Sequence, residues 1–389
     1  MRVCMIIEAW KPIWFGGQEL AYQLSSQLAD KHKCSVDLFV MKIKKDKKVF
    51  SQDENFGKRF HVKRRGFPVN FENKLQRILW NLFIIFPVLW SHFKHKYDII
   101  HAYPDMPGFP GWVLGKLLRV PVVYMVLVAS YDGDDSKRGS KKTNSIFTSV
   151  EKFLHLTLRY STIFTVGSYF LKYPASTKKT ILIRCGFNKD AIDDYLRKNP
   201  AAPGRGRNKE ILFVGRLHYQ KGVEFLINAM KYLDEKYRLS IVGDGPDAEE
   251  YRALVKKLNL SNRIDFKGVL YNSALYKEFN SCDVFVLPSR FEGFGLVLLD
   301  AFAFAKPAVA TKSGGPEDII SHGKNGFLVE RNNSKALALM IEKACSIDEQ
   351  TRKKMLQEQK KTLKKFTWEK SAEQVYDGYV TALKDYVQA

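Results

Sequence analysis

The chain has 389 residues, 45% of them hydrophobic and 27% charged, a globular composition that excludes disorder, collagen and coiled coil as the main architecture. At about 150 residues per domain, two or three domains are expected. The 63 Lys+Arg against 41 Asp+Glu give a net charge of +22, and 33 basic against 17 acidic residues fall in 1–200, so an anionic partner is expected on the first half. Five cysteines (Cys4, Cys34, Cys185, Cys282 and Cys345) are scattered without a C-x-x-C pair. That argues against a disulfide framework or cysteine-rich zinc site and fits a reducing, cytoplasmic compartment.

In chain order, Met1–Glu8 reads as a strand rather than a signal peptide. The apolar runs Val3–Ile7, Val36–Val40, Ile99–His101, Val122–Val128 and Ile163–Val166 predict strands of a parallel sheet, because they lack the alternation of a half-exposed strand. Gln18–Lys31 predicts a helix with Leu20, Leu24 and Leu28 on one face. Ile78–Trp90 is apolar for 13 residues, including Asn81 and Pro87, and is too short to cross a bilayer. It predicts a partly buried helix that touches lipid through Trp80, Phe83, Phe86, Trp90 and Phe93. Residues 197–208, rich in Pro, Gly and charge, predict a linker. The pattern then restarts, with strands at Ile211–Val214, Leu239–Val242, Ile264–Phe266, Val284–Leu287 and Ala308–Ala310 and helices at Val223–Leu233, Ala248–Leu258 and Ser273–Asn280. The expectation is α/β: two doubly wound Rossmann-like domains, 1–196 and 209–371, facing a cleft, with a C-terminal helix over 372–389 that crosses back to the first domain.

Four strand-to-helix loops in the second half carry the chemistry. F-V-G-R-L-H-Y-Q-K-G (213–222) places Arg216 and Lys221 after Gly215, where two cations can grip a diphosphate; a solvated loop with two surface cations remains the alternative. I-V-G-D-G-P (241–246) lacks the third glycine of a dinucleotide fingerprint and reads as a structural turn. P-S-R-F-E-G-F-G-L-V-L-L-D-A-F-A (288–303) offers the carboxylate of Glu292 between flexible residues, then Gly293 and Gly295, then a helix from Leu296 that carries Asp300. For Asp300 a plain polar helix position stays open. K-P-A-V-A-T-K-S-G-G-P-E-D-I-I (306–320) is a further such turn, with Pro316 at a helix start.

Together, in this order, the four motifs resemble the C-terminal domain of glycosyltransferase family 4. The likeness runs on through H-G-K-N-G-F-L-V (322–329) and F-T-W-E-K (366–370). In the first half F-G-G-Q-E-L-A-Y-Q-L (15–24), D-I-I-H-A-Y (98–103) and I-R-C-G-F-N (183–188) resemble the family more weakly. The resemblance implies a GT-B fold and metal-free, retaining transfer from a nucleotide-sugar. It implies that Arg216 and Lys221 bind the donor diphosphate and Glu292 the sugar hydroxyls. Phe294, Gly295 and Leu296 would offer backbone amides, Asp300 would bind ribose, and Gly16 and Gly17 would close on the phosphates.

Two positions depart from the family pattern. Asp300 replaces the second Glu, and V-V-Y-M-V-L-V-A-S-Y-D (122–132) lacks a His that many members carry. His101 is a candidate substitute, with a core or rim histidine as the alternative. Asp132 and Asp134 have metal-clamp spacing, but their polar loop reads as solvated, and no metal or other cofactor is expected. The charge of the first half and Lys44–Lys48, Lys63–Arg65 and 78–93 point to a glycan or lipid-linked acceptor at an anionic membrane surface, with the protein peripheral on the cytosolic face. No nucleic-acid module is readable. A sugar-nucleotide epimerase of similar fold and a catalytically silent binding subunit are the alternatives.

Overall fold

A computed structural model describes all residues except 105, 128–152, 155–156, 173–178, 201–207 and 389. The chain forms two compact units, Met1–Cys185 with Trp368–Ala389, and Gly186–Thr367. The Asp132–Asp134 spacing and most of the expected linker lie outside the described residues. Among the described residues no helix is long and apolar enough to cross a membrane.

The first unit holds a sheet of β1 (Arg2–Ile6), β2 (Ser35–Lys45), β3 (Lys48–Phe50), β4 (Glu54–Phe56), β5 (Phe60–Val69), β6 (Ile99–Ala102), β7 (Val122–Val126), β8 (Thr162–Thr165) and β9 (Thr180–Leu182). Its order is β4-β5-β2-β1-β6-β7-β8-β9, with β3 as a hairpin partner of β2. Every pairing is parallel except β2–β3 and β4–β5. The apolar runs therefore lie where both faces can be covered, and β1, β6 and β7 are buried almost throughout. After β1, α1 (Gly16–Asp30) buries Leu20, Leu24 and Leu28, as their spacing predicts. The charged strand β5 escapes a periodicity reading because its cations are paired: Arg64 Nη2 reaches Glu54 Oε1 at 2.7 Å and Lys63 Nζ reaches Asp37 Oδ2 at 2.9 Å.

The apolar stretch after β5 forms two helices, α2 (Lys74–Phe83) and α3 (Ile85–His95). One of its predicted lipid-facing residues is corrected. Trp80 is wholly buried, and its indole N–H donates to the Arg65 carbonyl at 2.8 Å. Phe83, Phe86, Trp90 and Phe93 are exposed. The C-terminal helix, Trp368–Gln388, belongs to the first unit and buries Ala372, Val375 and Tyr379. Ser371 Oγ donates to the Arg184 carbonyl, and Tyr376 stacks on His32 at 4.3 Å.

The second unit starts at Gly186 rather than after a 197–208 linker. The helix Lys189–Lys198 packs there because Tyr195 meets the edges of Tyr276 and Phe304, at centroid distances of 5.6 and 6.0 Å. The sheet is β10 (Lys209–Val214), β11 (Tyr237–Val242), β12 (Ile264–Gly268), β13 (Val284–Leu287), β14 (Ala308–Thr311) and β15 (Phe327–Val329). Its order is β12-β11-β10-β13-β14-β15, parallel throughout. Strand order reverses between β10 and β13, and in such sheets ligands bind beyond the carboxyl ends of the strands at that reversal. In the first sheet the reversal falls between β1 and β6.

Candidate active site

The loops after β10 and β13 meet at the reversal point of the second sheet. After β10 the chain makes a short 3-10 turn, Tyr219–Lys221, and Gly222 leaves it with φ +60°. A Cβ on Gly222 would stand 2.3 Å from the Pro288 carbonyl oxygen, so only glycine lets this loop lie against the end of β13. Two hydrogen bonds then lace the loops together. Arg290 N–H donates to the Gln220 carbonyl at 2.8 Å, and Gln220 Nε2 donates to the Phe291 carbonyl at 3.2 Å. The result places Lys221 Nζ 2.6 Å from Glu292 Oε2.

Glu292 is held from the other side by the loop after β14. Its N–H donates to the Ser313 carbonyl at 2.9 Å, and Gly315 N–H donates to its carbonyl at 2.8 Å. Ser289 Oγ donates to the same carboxylate oxygen as Lys221, at 3.1 Å. Both side-chain partners converge on Oε2, so the carboxylate has one fixed orientation. Net stability is a poor reason for such a half-buried ion pair, because desolvation offsets much of its attraction. Its value is in position: a carboxylate and an ammonium fixed side by side at a strand end.

Gly293, Phe294 and Gly295 follow. Gly295 has φ +92° and sets the start of the helix Leu296–Ala303, whose first-turn amides and dipole favour an anion. Phe294 is buried, edge to face with Phe366 at 5.5 Å, which ties F-T-W-E-K into this loop. Gly315 is required by contact, since its Cβ would sit 2.3 Å from Phe294 Cα. Asp300 lies in the second turn of this helix, half-buried. Arg216 follows Gly215 in the β10 loop and is also half-buried.

The turn I-V-G-D-G-P is structural, as its missing third glycine suggests. Leu217 N–H donates to the Asp244 carbonyl at 2.9 Å, and Gly215 N–H to the Val242 carbonyl at 3.0 Å. A Cβ on Gly243 would lie 1.9 Å from the Gly215 carbonyl oxygen, and one on Gly245 would lie 2.3 Å from that of Leu217. The turn thus braces the loop that carries Arg216 and Lys221.

Sequence reasoning misses the clamp around Arg290. Its guanidinium lies over Tyr219 at 4.1 Å and Phe225 at 4.2 Å, pairs with Glu224, and donates to Asn332 Oδ1 at 2.8 Å. The partners are 42 to 71 residues away, so no local spacing signals them. Glu317 is also missed. Its Oε2 accepts from Ser313 N–H at 3.1 Å and Gly314 N–H at 3.0 Å, while burial raises its carboxyl pKa. The P-E start of a short helix after two glycines is the signal that could have found it.

In the first unit Gly16 and Gly17 open α1, on the loop that leaves β1 at the strand-order reversal. A Cβ on Gly17 would touch Leu127 Cδ1 at 3.0 Å. The candidacy of His101 is corrected. The residue has no exposed surface, stacks on Tyr103 at 4.8 Å, and shares a 2.5 Å hydrogen bond between Nδ1 and the Tyr379 hydroxyl. Burial pushes its pKa down to about 3. It is a neutral core histidine that anchors the C-terminal helix.

Among the described residues no three His, Cys, Asp or Glu side chains cluster to hold a metal ion. Two parallel-sheet α/β units, with cations, a carboxylate and glycine-shaped loops at the strand ends of the second, are the two-domain arrangement of GT-B glycosyltransferases. Comparison with known proteins gives the family. The family described as Glycosyl transferases group 1 matches residues 197–362. Two uncharacterized glycosyltransferases of Methanocaldococcus jannaschii are similar. One is 35% identical over 214 residues, 52% of this chain and 60% of the relative. The other is 30% identical over 304 residues, 74% of this chain and 76% of the relative. In fold, the chain is similar to sucrose-phosphate synthase of Thermosynechococcus elongatus (TM-score 0.82, 23% identity, 97% of this chain and 98% of that one). It is also similar to Anabaena HepE in complex with UDP and glucose (TM-score 0.72, 20% identity, 98% and 100%). The protein belongs to the group 1 glycosyl transferases and is a glycosyltransferase.

Proposed function

We propose that the protein transfers a sugar from a nucleoside-diphosphate sugar to an acceptor hydroxyl with retention at C1, without a metal. The observation that carries this reading is the fixed Lys221–Glu292 pair at the strand ends of the second sheet. The UDP and glucose held by HepE, a relative in fold, support a nucleotide-sugar donor. In this reading Arg216 and Lys221 face the diphosphate and Glu292 holds sugar hydroxyls. The amides of Phe294, Gly295 and Leu296 meet phosphate or sugar, and Asp300 binds ribose hydroxyls. Gly16 and Gly17 let the backbone of the α1 start approach phosphate oxygens.

The chemistry follows from these roles. The bond from C1 to the diphosphate oxygen breaks, and its electron pair leaves with the diphosphate. The acceptor oxygen bonds to C1 on the same face, and its proton passes to the leaving diphosphate. Charge grows on the leaving group and on the sugar ring together. Fixed cations and amide dipoles lower the barrier most effectively where that charge develops. With the leaving phosphate as base, the reaction needs no histidine in the 122–132 segment.

We further propose a glycan or lipid-linked acceptor at the cytosolic surface of an anionic membrane, on the support of the basic first unit and the exposed aromatics of α3. The test is nucleotide release from a panel of UDP-, GDP- and ADP-sugars, with and without a lipid extract as acceptor. Release with one donor, stimulated by the extract and unaffected by excess EDTA, is expected. Absence of release with every donor would overturn the donor-site roles given to Arg216, Lys221 and Glu292.

A further inference from the structure

The helices α2 and α3 are apolar on two faces. Trp80, Ile84 and Val88 point into the core and are wholly buried. On the outside Leu75, Leu79, Leu82, Phe86, Trp90 and Phe93 are between 47% and 71% exposed. They recur every three or four residues, so they form one stripe along the helix pair. A stripe of about 20 helical residues is roughly 30 Å long. That exceeds the scattered exposed apolar residues of an ordinary surface.

Basic groups sit at both ends of the stripe. At the α3 end the Lys94 ammonium stands over the Trp90 ring at 5.1 Å, and that of Lys96 over Phe93 at 5.8 Å. At the α2 end lies the β2–β3 hairpin, whose tip Lys44–Lys48 holds four lysines and Asp46. Between this tip and the start of α2 is a depression of ≈ 460 Å³, lined by Lys44, Lys47, Asn70, Asn73 and Gln76, with Asp46 also on its wall.

Its donors are unspent. The carbonyl ends of the amides are engaged, Asn73 Oδ1 by Gln76 N–H at 3.1 Å and Gln76 Oε1 by Asn70 N–H at 2.8 Å. Among the described residues neither their amide nitrogens nor the Lys44 and Lys47 ammoniums have a hydrogen-bonded or ionic partner. The cations beside α3 differ: Lys63 is paired with Asp37 at 2.9 Å and Arg65 with Asp53 at 2.8 Å. Lys94 and Lys96 lie over aromatic rings, so the place where free ammonium and amide N–H groups line one depression is the hairpin end, where the apolar stripe begins.

We propose that the first unit lies flat on a membrane through this stripe and that the hairpin depression takes the phosphate of an anionic phospholipid headgroup. Ammonium and amide N–H groups suit a phosphate, which only accepts hydrogen bonds. The stripe beside it suits the acyl chains of the same leaflet. The inference rests on the membrane-surface reading above and names the lipid chemistry that reading needs.

The test is flotation of the full-length protein with vesicles of phosphatidylcholine alone or mixed with phosphatidylglycerol, at low and high salt. Binding to the phosphatidylglycerol vesicles is expected, part of it resistant to salt. Lys44→Gln with Lys47→Asn, chosen because Lys47 has φ +63° and Asn tolerates that conformation, should lower it on the order of tenfold. Trp90→Gln with Phe93→Gln should remove the salt-resistant part. Thermal melts and nucleoside-diphosphate affinity should be unchanged in both variants.

Equal binding to the two vesicle types, or no loss in the hairpin variant, overturns the headgroup site. Binding of soluble glycerol phosphate that depends on Lys44 and Lys47, without vesicle binding, makes it a site for a free phosphate compound instead. Self-association abolished by the Trp90/Phe93 variant, without vesicle binding, makes the stripe an interface between copies of the chain. If vesicles bind as expected but no donor of the panel is turned over, the donor-site roles proposed above fail while this one stands.

Discussion

The Lys221 ammonium and the Glu292 carboxylate are 71 residues apart in sequence and 2.6 Å apart in space. Two things bring them together: adjacency of β10 and β13 in the sheet, and a glycine at 222 that lets one loop rest on the other. Ser289 holds the same carboxylate oxygen at 3.1 Å. A carboxylate fixed in this way has little freedom to lose when a substrate arrives.

Glu292→Gln should keep the fold and lower turnover by about a hundredfold or more, since in its proposed role Glu292 presents a charge to the reacting sugar. Lys221→Ala and Arg216→Ala should each weaken nucleoside-diphosphate binding, read by calorimetry. A folded Glu292→Gln enzyme of near-normal turnover would remove Glu292 from the site, and unchanged affinity in both cation variants would move the diphosphate elsewhere.

Arg290 acts through its neighbours. Sandwiched by Tyr219 and Phe225 and paired with Glu224, it fixes the turn that carries Lys221. Arg290→Ala should raise the donor KM about tenfold, with a smaller effect on kcat, because the cost falls on ordering the loop. Arg290→Lys should restore only part of the loss, as an ammonium cannot reproduce the planar stack and fork. Equal KM values in wild type and both variants would show that the clamp is unconnected to the donor.

Gly243→Ala should destabilise the second unit by roughly 3 kcal/mol or more, because the clash is with backbone and neither loop can retreat. Gly57→Ala is the control. Gly57 has φ +72° with nothing within 4 Å of a Cβ, so only backbone strain of about 1 kcal/mol applies. Chemical denaturation of both variants measures the difference. Similar losses would mean that the β11 turn is not tightly packed on the β10 loop.

His101 gives a pH dependence with a definite sign. Its folded pKa, about 3, lies below the ordinary histidine value. Above about pH 6.5 it is neutral in both folded and unfolded chains and contributes no slope. As pH falls from 6.5 toward 3 the unfolded chain takes up the proton first, and stability is lost at up to ~1.4 kcal/mol per unit. The stability difference between wild type and His101→Gln should therefore shrink by about 2 kcal/mol between about pH 7.5 and pH 5. A constant difference would mean that the imidazole titrates normally in the folded state.

Period and composition by themselves determined the two α/β units, most of their sheet strands, the helix from Leu296 and the loops that carry Arg216, Lys221 and Glu292. These are local properties. A buried parallel strand must be apolar on both faces, and a chain that turns from strand to helix beside a ligand needs glycine there. The sequence also separated the structural turn at 241–246 from the chemical loops, because a missing glycine is visible without coordinates.

Only the tertiary structure decided which neighbours each residue meets. Trp80 and Phe86 look alike in the sequence, yet one is inside and the other outside, because the helix pair is apolar on two faces and only its docking against the sheet selects the inner one. His101 stands at a strand end like a site residue, but the C-terminal helix returns 278 residues later to cover it with Tyr379. Nothing in the sequence around Arg290 signals that Tyr219 and Phe225 close on it. Such pairings are fixed by sheet order and loop crossing, and residues far apart in sequence leave no periodic trace of their contact.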